Sequence, residues 1–187
     1  MISAVFDACV LYSAPLRDFL LRLAFAGLFL PFWSEEIQDE WIRSLLQKRS
    51  DLKRENLERT RRNMDSHFPN GCVRGYESII SVLQLPDPKD RHVLAAAIHA
   101  KAEYIVTLNL GDFPETALAP YHVKAISPDD FVLRVIEYNT KVFLETVGRH
   151  RAVLARPPKT VDEYLATLTQ HNLSKTVTFL RKHEADI

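Results

Sequence analysis

Asp87-Pro-Lys-Asp90-Arg-His-Val-Leu-Ala95-Ala-Ala-Ile-His-Ala100-Lys-Ala-Glu-Tyr104-Ile-Val-Thr107 contains a complete helix-to-strand unit. Asp87 fits an N-cap, Pro88 the first helical position and Asp90 the third, where an acid suits the positive end of the helix dipole. The run Arg91–Lys101 is then helical, and its small face, Ala95 to Ala97, can press closely on a sheet. Tyr104–Thr107 follows as a short apolar strand. A helix feeding directly into a buried strand is the repeating unit of a parallel sheet flanked by helices.

The same unit recurs on both sides. Ile2–Phe6 is a first strand, ending in Asp7. Pro15–Gly27 is helical, and Leu28–Phe32 is a second buried strand. Ser34 caps a helix with Glu35 and Glu36 in its first turn and an apolar stripe at Ile37, Trp41 and Leu45. A polar, basic stretch runs from Arg43 to Arg62 and ends at Pro69-Asn70-Gly71. Beyond Thr107, the segment Asn109–Pro114 is a turn and His122–Ile126 a last strand. Pro128 opens a long helix reaching about Ala155, which Pro157 and Pro158 break. Thr160-Val-Asp-Glu163 is a capping box for a further helix, and Ser174 caps a final one. The chain thus divides into an α/β domain over 1–132, with a basic helical insertion at about 43–68, and a C-terminal helical extension over 133–187.

Bulk properties narrow the function. The 187 residues carry 24 Lys plus Arg against 24 Asp plus Glu, so any nucleic-acid contact has to come from a local patch rather than from overall charge. Cys9 and Cys72 have no metal-ligand spacing and read as reduced thiols of a cytoplasmic protein, with Cys9 packed rather than reactive. No signal peptide is expected at Met1. The apolar run Phe19–Trp33 contains Arg22 and Pro31 and is too short to span a bilayer. The sequence lacks a Gly-x-x-x-x-Gly-Lys loop, His-Glu-x-x-His, Cys-x-x-Cys and Gly-x-Ser-x-Gly. Nucleotide-driven motors, zinc peptidases, thiol redox enzymes and serine hydrolases lose support accordingly.

What remains is carboxylates. Asp7, Glu40, Asp90 and Asp112 each lie where a short strand or an amphipathic helix meets a turn, and ligands of open parallel sheets bind beyond the carboxyl ends of the strands. Like charges gather only around a cation, and for carboxylates that cation is divalent and hard. Each acid also has a plainer role. Asp7 fits a turn cap, Glu40 a solvated helix glutamate, Asp90 a helix-dipole acid and Asp112 ordinary turn chemistry beside Gly111. The basic run, including Arg43, Lys48, Arg49, Lys53 and Arg54, reads either as a solvated face or as a groove for an RNA backbone. His92 and His99, seven apart on one helix, are a poor metal pair and read as packing or surface residues. Trp33, Trp41 and Phe32 fit either the core or a partly exposed groove for a partner.

Four blocks of this sequence, in order, resemble PIN-domain ribonucleases: Val5–Leu11, Ser34–Trp41, Leu85–Ile98 and Ile105–Pro114. Within that family the chain is most similar to the VapC-type toxins of bacterial toxin–antitoxin pairs. The resemblance implies a PIN-like, Rossmann-like α/β/α sandwich and Mg²⁺- or Mn²⁺-dependent endonuclease activity on RNA. It implies Asp7, Glu40, Asp90 and Asp112 as catalytic metal ligands, with Thr107 and Asn109 lining the site and Asp87 supporting it. It also implies a cognate antitoxin, often placing an Arg near the acids, and a possible homodimer. The long basic stretch and the tail over 133–187 depart from a minimal PIN domain. Two rivals stand beside this reading. One is a binding module that contacts nucleic acid or protein without cleaving. The other is an aspartate-dependent phosphatase, disfavoured because Cys9 occupies the place of its second Asp.

Overall fold

The computed structural model describes residues 1–154 and 158–187. Its centre is a five-stranded, all-parallel sheet in the order β3-β2-β1-β4-β5. The first half runs β1 (Ser3–Phe6), α1 (Ala8–Tyr12), α2 (Ala14–Phe25), β2 (Leu30–Ser34), α3 (Glu35–Lys48), α4 (Arg54–His67), β3 (Cys72–Val73) and α5 (Glu77–Ile80). The second half runs α6 (Arg91–Ala100), β4 (Tyr104–Val106), α7 (Glu115–Leu118), β5 (Lys124–Ile126), α8 (Pro128–Tyr138), α9 (Thr140–Val153), α10 (Val161–Gln170) and α11 (Ser174–Arg181). Short 3₁₀ turns at Pro88–Asp90 and Leu110–Asp112 lead into α6 and out of β4.

β1 is central because every one of its apolar side chains can be buried. Val5 pairs with Phe32 on one side and Ile105 on the other, and Ala4, Val5 and Phe6 are fully buried. The chain adds β2 and β3 on one side of β1, then crosses back to add β4 and β5 on the other. The reversal lies between β1 and β4, and their carboxyl ends open on the crevice where such sheets bind ligands. The small residues of α6 do what their size permits: Ala95, Ala96 and Ala97 are fully buried against the sheet. Phe6, Phe29 and Phe131 pack edge-to-face, with ring centroids 4.9 to 6.2 Å apart, so α8 is joined to the sheet core.

Several expectations are corrected. The second strand lies at Leu30–Ser34, not 28–32, because Gly27 takes a left-handed backbone and Leu28 and Phe29 are buried in the turn that follows. β3 was not visible in the sequence; two residues carry no periodicity, and only pairing with Trp33 and Ser34 defines it. The expected helix from Pro128 is two helices. Asn139 leaves the helical backbone conformation and its side chain accepts from the Val142 N–H at 3.1 Å, which starts α9 afresh. Its expected end near Ala155, and the break at Pro157, lie outside the described residues. Ser174 does not cap the last helix. Asp129, at the start of α8, does so across space, accepting from the Lys175 and Thr176 N–H groups at 2.7 and 2.9 Å. The capping box at Thr160 and Glu163 is present.

The extension docks on α2 and α8. Phe143 meets Phe19 edge-to-face at 6.4 Å, and Tyr164 and Leu165 are buried. His150 is bonded on both ring nitrogens, to Asp18 at 2.9 Å and to the Tyr164 hydroxyl at 3.0 Å. A boundary drawn at residue 132 falls inside α8.

Candidate active site

Asp7 follows β1 at the N-cap position of α1, yet its side chain makes no capping bond. Instead Oδ2 accepts from the Thr107 hydroxyl at 2.7 Å and from the Cys9 thiol at 3.1 Å. Thr107, fully buried just past β4, in turn accepts from the Asn109 N–H at 3.0 Å. A carboxylate that is 7% exposed is therefore fixed from the neighbouring strand through one of its two oxygens.

Asp87 and Asp90, which the sequence left sharing one capping role, are separated by the fold. Asp87 caps the 3₁₀ turn, accepting from the Lys89 N–H at 2.9 Å. Asp90 ends that turn and opens α6 without any side-chain capping bond. Its pKa is pushed up to about 6, first by burial and then by the charges of Asp7, Asp112, Asp87 and Glu40, in that order. Four acids from separate segments thus act on one half-buried carboxyl. Asp112 ends the 3₁₀ turn after β4 and is half-buried, while Asn109 is exposed at the start of that turn. Glu40 lies on α3, off the buried stripe of Ile37, Trp41 and Leu45.

Two residues of this neighbourhood escaped the sequence reading. Cys9 both donates to Asp7 and accepts from the Leu108 N–H at 3.3 Å, and burial beside Asp7 pushes its thiol up to about 12. It is a neutral hydrogen-bonding group here, in keeping with the expectation that it is not reactive. His92, read as packing or surface, is buried between Glu36 and Glu40, with nitrogen-to-oxygen distances of 3.7 and 3.3 Å. Burial alone pulls its imidazole down, but Glu40, Glu36 and Asp7 outweigh it and the net shift is upward. His99 is exposed.

Asp7, Glu40, Asp90 and Asp112 offer carboxylate oxygens, the chemistry preferred by Mg²⁺ and Mn²⁺. Among the described residues, no three His, Cys, Asp or Glu side chains converge closely enough to chelate one ion. The acids form a shared electrostatic neighbourhood rather than a closed shell.

The predicted basic face is partly self-paired. Arg49 is held bidentately by Asp51, at 2.7 and 2.8 Å, and Arg54 lies 3.5 Å from Glu58. Arg43, Lys48 and Lys53 are exposed without an ion pair among the described residues, and Lys48 sits 5.3 Å from the Tyr12 ring centroid. Trp33 and Trp41 are fully buried, so they form core and not an exposed groove; Phe32 is half-buried.

Comparison with known proteins identifies the fold. The PIN domain family matches residues 3–111, more than half of the chain and the span that contains the sheet crevice. The chain belongs to the PIN-domain family. Its C-terminal part, residues 128–182, matches the family described as the VapC50 C-terminal domain. "Putative ribonuclease VapC50" of Mycobacterium tuberculosis (strain ATCC 25618 / H37Rv) is 51% identical over 69 residues. That match covers 35% of this PIN protein and 40% of the relative, less than half of either chain. No solved structure matches it. Among the described residues, no helix is long and apolar enough to cross a membrane.

Proposed function

We propose that this protein is a metal-dependent endoribonuclease and the toxin of a type II toxin–antitoxin pair, acting in the cytoplasm. The observation that carries the reading is Asp7, 7% exposed at the carboxyl end of β1, bonded by Thr107 and Cys9 through Oδ2 alone and acting by its charge on the half-buried Asp90 carboxyl at the head of α6. Asp7, Asp90, Asp112 and Glu40 would hold Mg²⁺ or Mn²⁺. When bound, the ion would supply an acidified water and charge neutralisation at the scissile phosphate. Thr107 and Cys9 fix one Asp7 oxygen and leave the other for the ligand. Asp87 keeps the 3₁₀ turn closed and so presents Asp90 at the head of α6. Asn109, exposed at the rim, is a donor for a phosphate oxygen. Arg43, Lys48 and Lys53, with Arg49 and Arg54 beside them, line the approach for an RNA backbone. Hydrolysis by in-line attack would leave a 5′-phosphate and a 3′-hydroxyl. The relative's printed name supports RNA as substrate; the cognate antitoxin and a homodimer rest on the resemblance to VapC-type toxins alone.

The spread of the acids favours one alternative, a module of the same fold that binds without cleaving. One experiment separates the two: end-labelled single-stranded RNA incubated with Mg²⁺, Mn²⁺ or chelator, using wild type and Asp7→Asn. Metal-dependent cutting that the variant loses supports the nuclease. Binding without cutting, or equal cutting by both proteins, supports the module.

A further inference from the structure

We infer that His92 is a positioning residue of the acidic site, holding the Glu40 carboxylate toward the cluster around Asp90; this rests on the nuclease reading above. His92 lies in the first turn of α6, two residues after Asp90, and is 3% exposed. Both of its ring nitrogens are buried without a hydrogen-bond partner. Nδ1 lies 3.7 Å from Glu36 Oε2 and Nε2 lies 3.3 Å from Glu40 Oε1, in ion-pair range but off the line a hydrogen bond needs. Glu36 and Glu40 are one helical turn apart, so the ring sits against two carboxylates on the same face of α3.

A packing role alone does not account for this side chain. Its neighbours along α6, Val93, Leu94 and Ala95, are fully buried and apolar, and an apolar residue would fill the place without burying two unpaired nitrogens. The other buried histidine, His150, has both nitrogens bonded, so unpaired imidazole is not the habit of this fold. A small rotation of the Glu40 side chain completes an Nε2–H···Oε1 bond and leaves the second oxygen of Glu40 for the cluster. Fixing the rotamer of a half-exposed glutamate beforehand removes that ordering cost from ligand binding, which is what partners of metal-binding carboxylates do.

The test uses the full chain, with Mn²⁺ alone for binding and single-stranded RNA for turnover. The amide of a glutamine reaches the place of Nε2, beside Glu40, whereas that of an asparagine reaches the place of Nδ1, beside Glu36. His92→Asn and His92→Phe are expected to weaken Mn²⁺ binding by about ten-fold or more and to lower kcat with KM for RNA unchanged. His92→Gln is expected to stay within about three-fold of wild type. If His92→Phe does not fold, the Asn and Gln pair decides. Equal Mn²⁺ affinity in wild type and both amide variants, or rescue by Asn rather than Gln, overturns the positioning role alone. A wild-type protein that neither binds Mn²⁺ nor cuts RNA overturns the nuclease reading, and the positioning role falls with it.

Discussion

Asp7 and Asp129 are equally buried, each 7% exposed, and they are handled in opposite ways. Asp129 accepts three hydrogen bonds that occupy both oxygens: two from α11 N–H groups and one from the Thr176 hydroxyl. Asp7 accepts two, both on Oδ2. The same contrast separates the acid–histidine contacts. His150 bonds Asp18 at 2.9 Å and holds its carboxyl below the usual range, the largest single cause of that shift. His92 and Glu40 approach to 3.3 Å without bonding, beside an Asp90 carboxyl pushed the other way. Acids that join the extension to the sheet domain are saturated. Asp7, at the carboxyl end of β1, is held in place through one oxygen and left with the other to spare.

The sharpest way to break that contrast is to remove one acid from each region. Asp7→Asn should lower RNA cleavage by about 10²-fold or more, while its melting temperature stays within about 3 °C of wild type. Asp129→Ala should do the reverse. Leaving one buried and one part-buried N–H group and a buried hydroxyl without their acceptor costs about 3 kcal/mol in denaturant unfolding, and metal binding at the crevice should be unaffected. Loss of cleavage by Asp129→Ala in protein that is still folded would dissolve the distinction.

The pH dependence of stability should also divide. The Asp18 carboxyl is lowered, so its contribution is present above the unfolded value of 3.8 and is lost as pH falls through the lower folded value. Asp90 is raised to about 6, so its penalty is present above that value and is relieved as pH falls toward 3.8. Asp18→Asn should therefore lower the melting temperature at pH 7 and matter less near pH 3. Asp90→Asn should raise it at pH 7.5 and matter less near pH 4.5. Thermal melts across that range, with divalent ion removed, test both signs.

The smallest expected effect lies on the basic face. Arg43→Ala and Lys53→Ala should each weaken RNA binding a few-fold and reduce the salt slope by about one phosphate contact, with kcat unchanged. Arg49→Ala should do less, because Asp51 already holds that guanidinium.

The sheet was legible where residues have nowhere else to go. Ala4–Phe6 and the Ala95–Ala97 face could only be interior, and Asp7 and Asp112 followed from the strand ends. Elements defined by partners were not legible. β3 exists through Trp33 and Ser34, and the cap of α11 comes from a residue 45 positions away or more. Asn139 was legible in principle, since its side chain competes with helix continuation, but the apolar periodicity on either side hid it. In the site, the separate jobs of Asp87 and Asp90 needed the 3₁₀ turn to be seen. His92 and Cys9 needed the third dimension, because nothing in their local spacing distinguishes a buried neighbour of an acid from a core residue.

The most direct test of the central claim is the titration of the Asp90 carboxyl carbon by NMR, without and with saturating Mg²⁺. The account predicts a midpoint near 6 without the ion and a large downward shift when it is present. A midpoint near the ordinary 3.8 without Mg²⁺, or one near 6 that Mg²⁺ does not move, would contradict it.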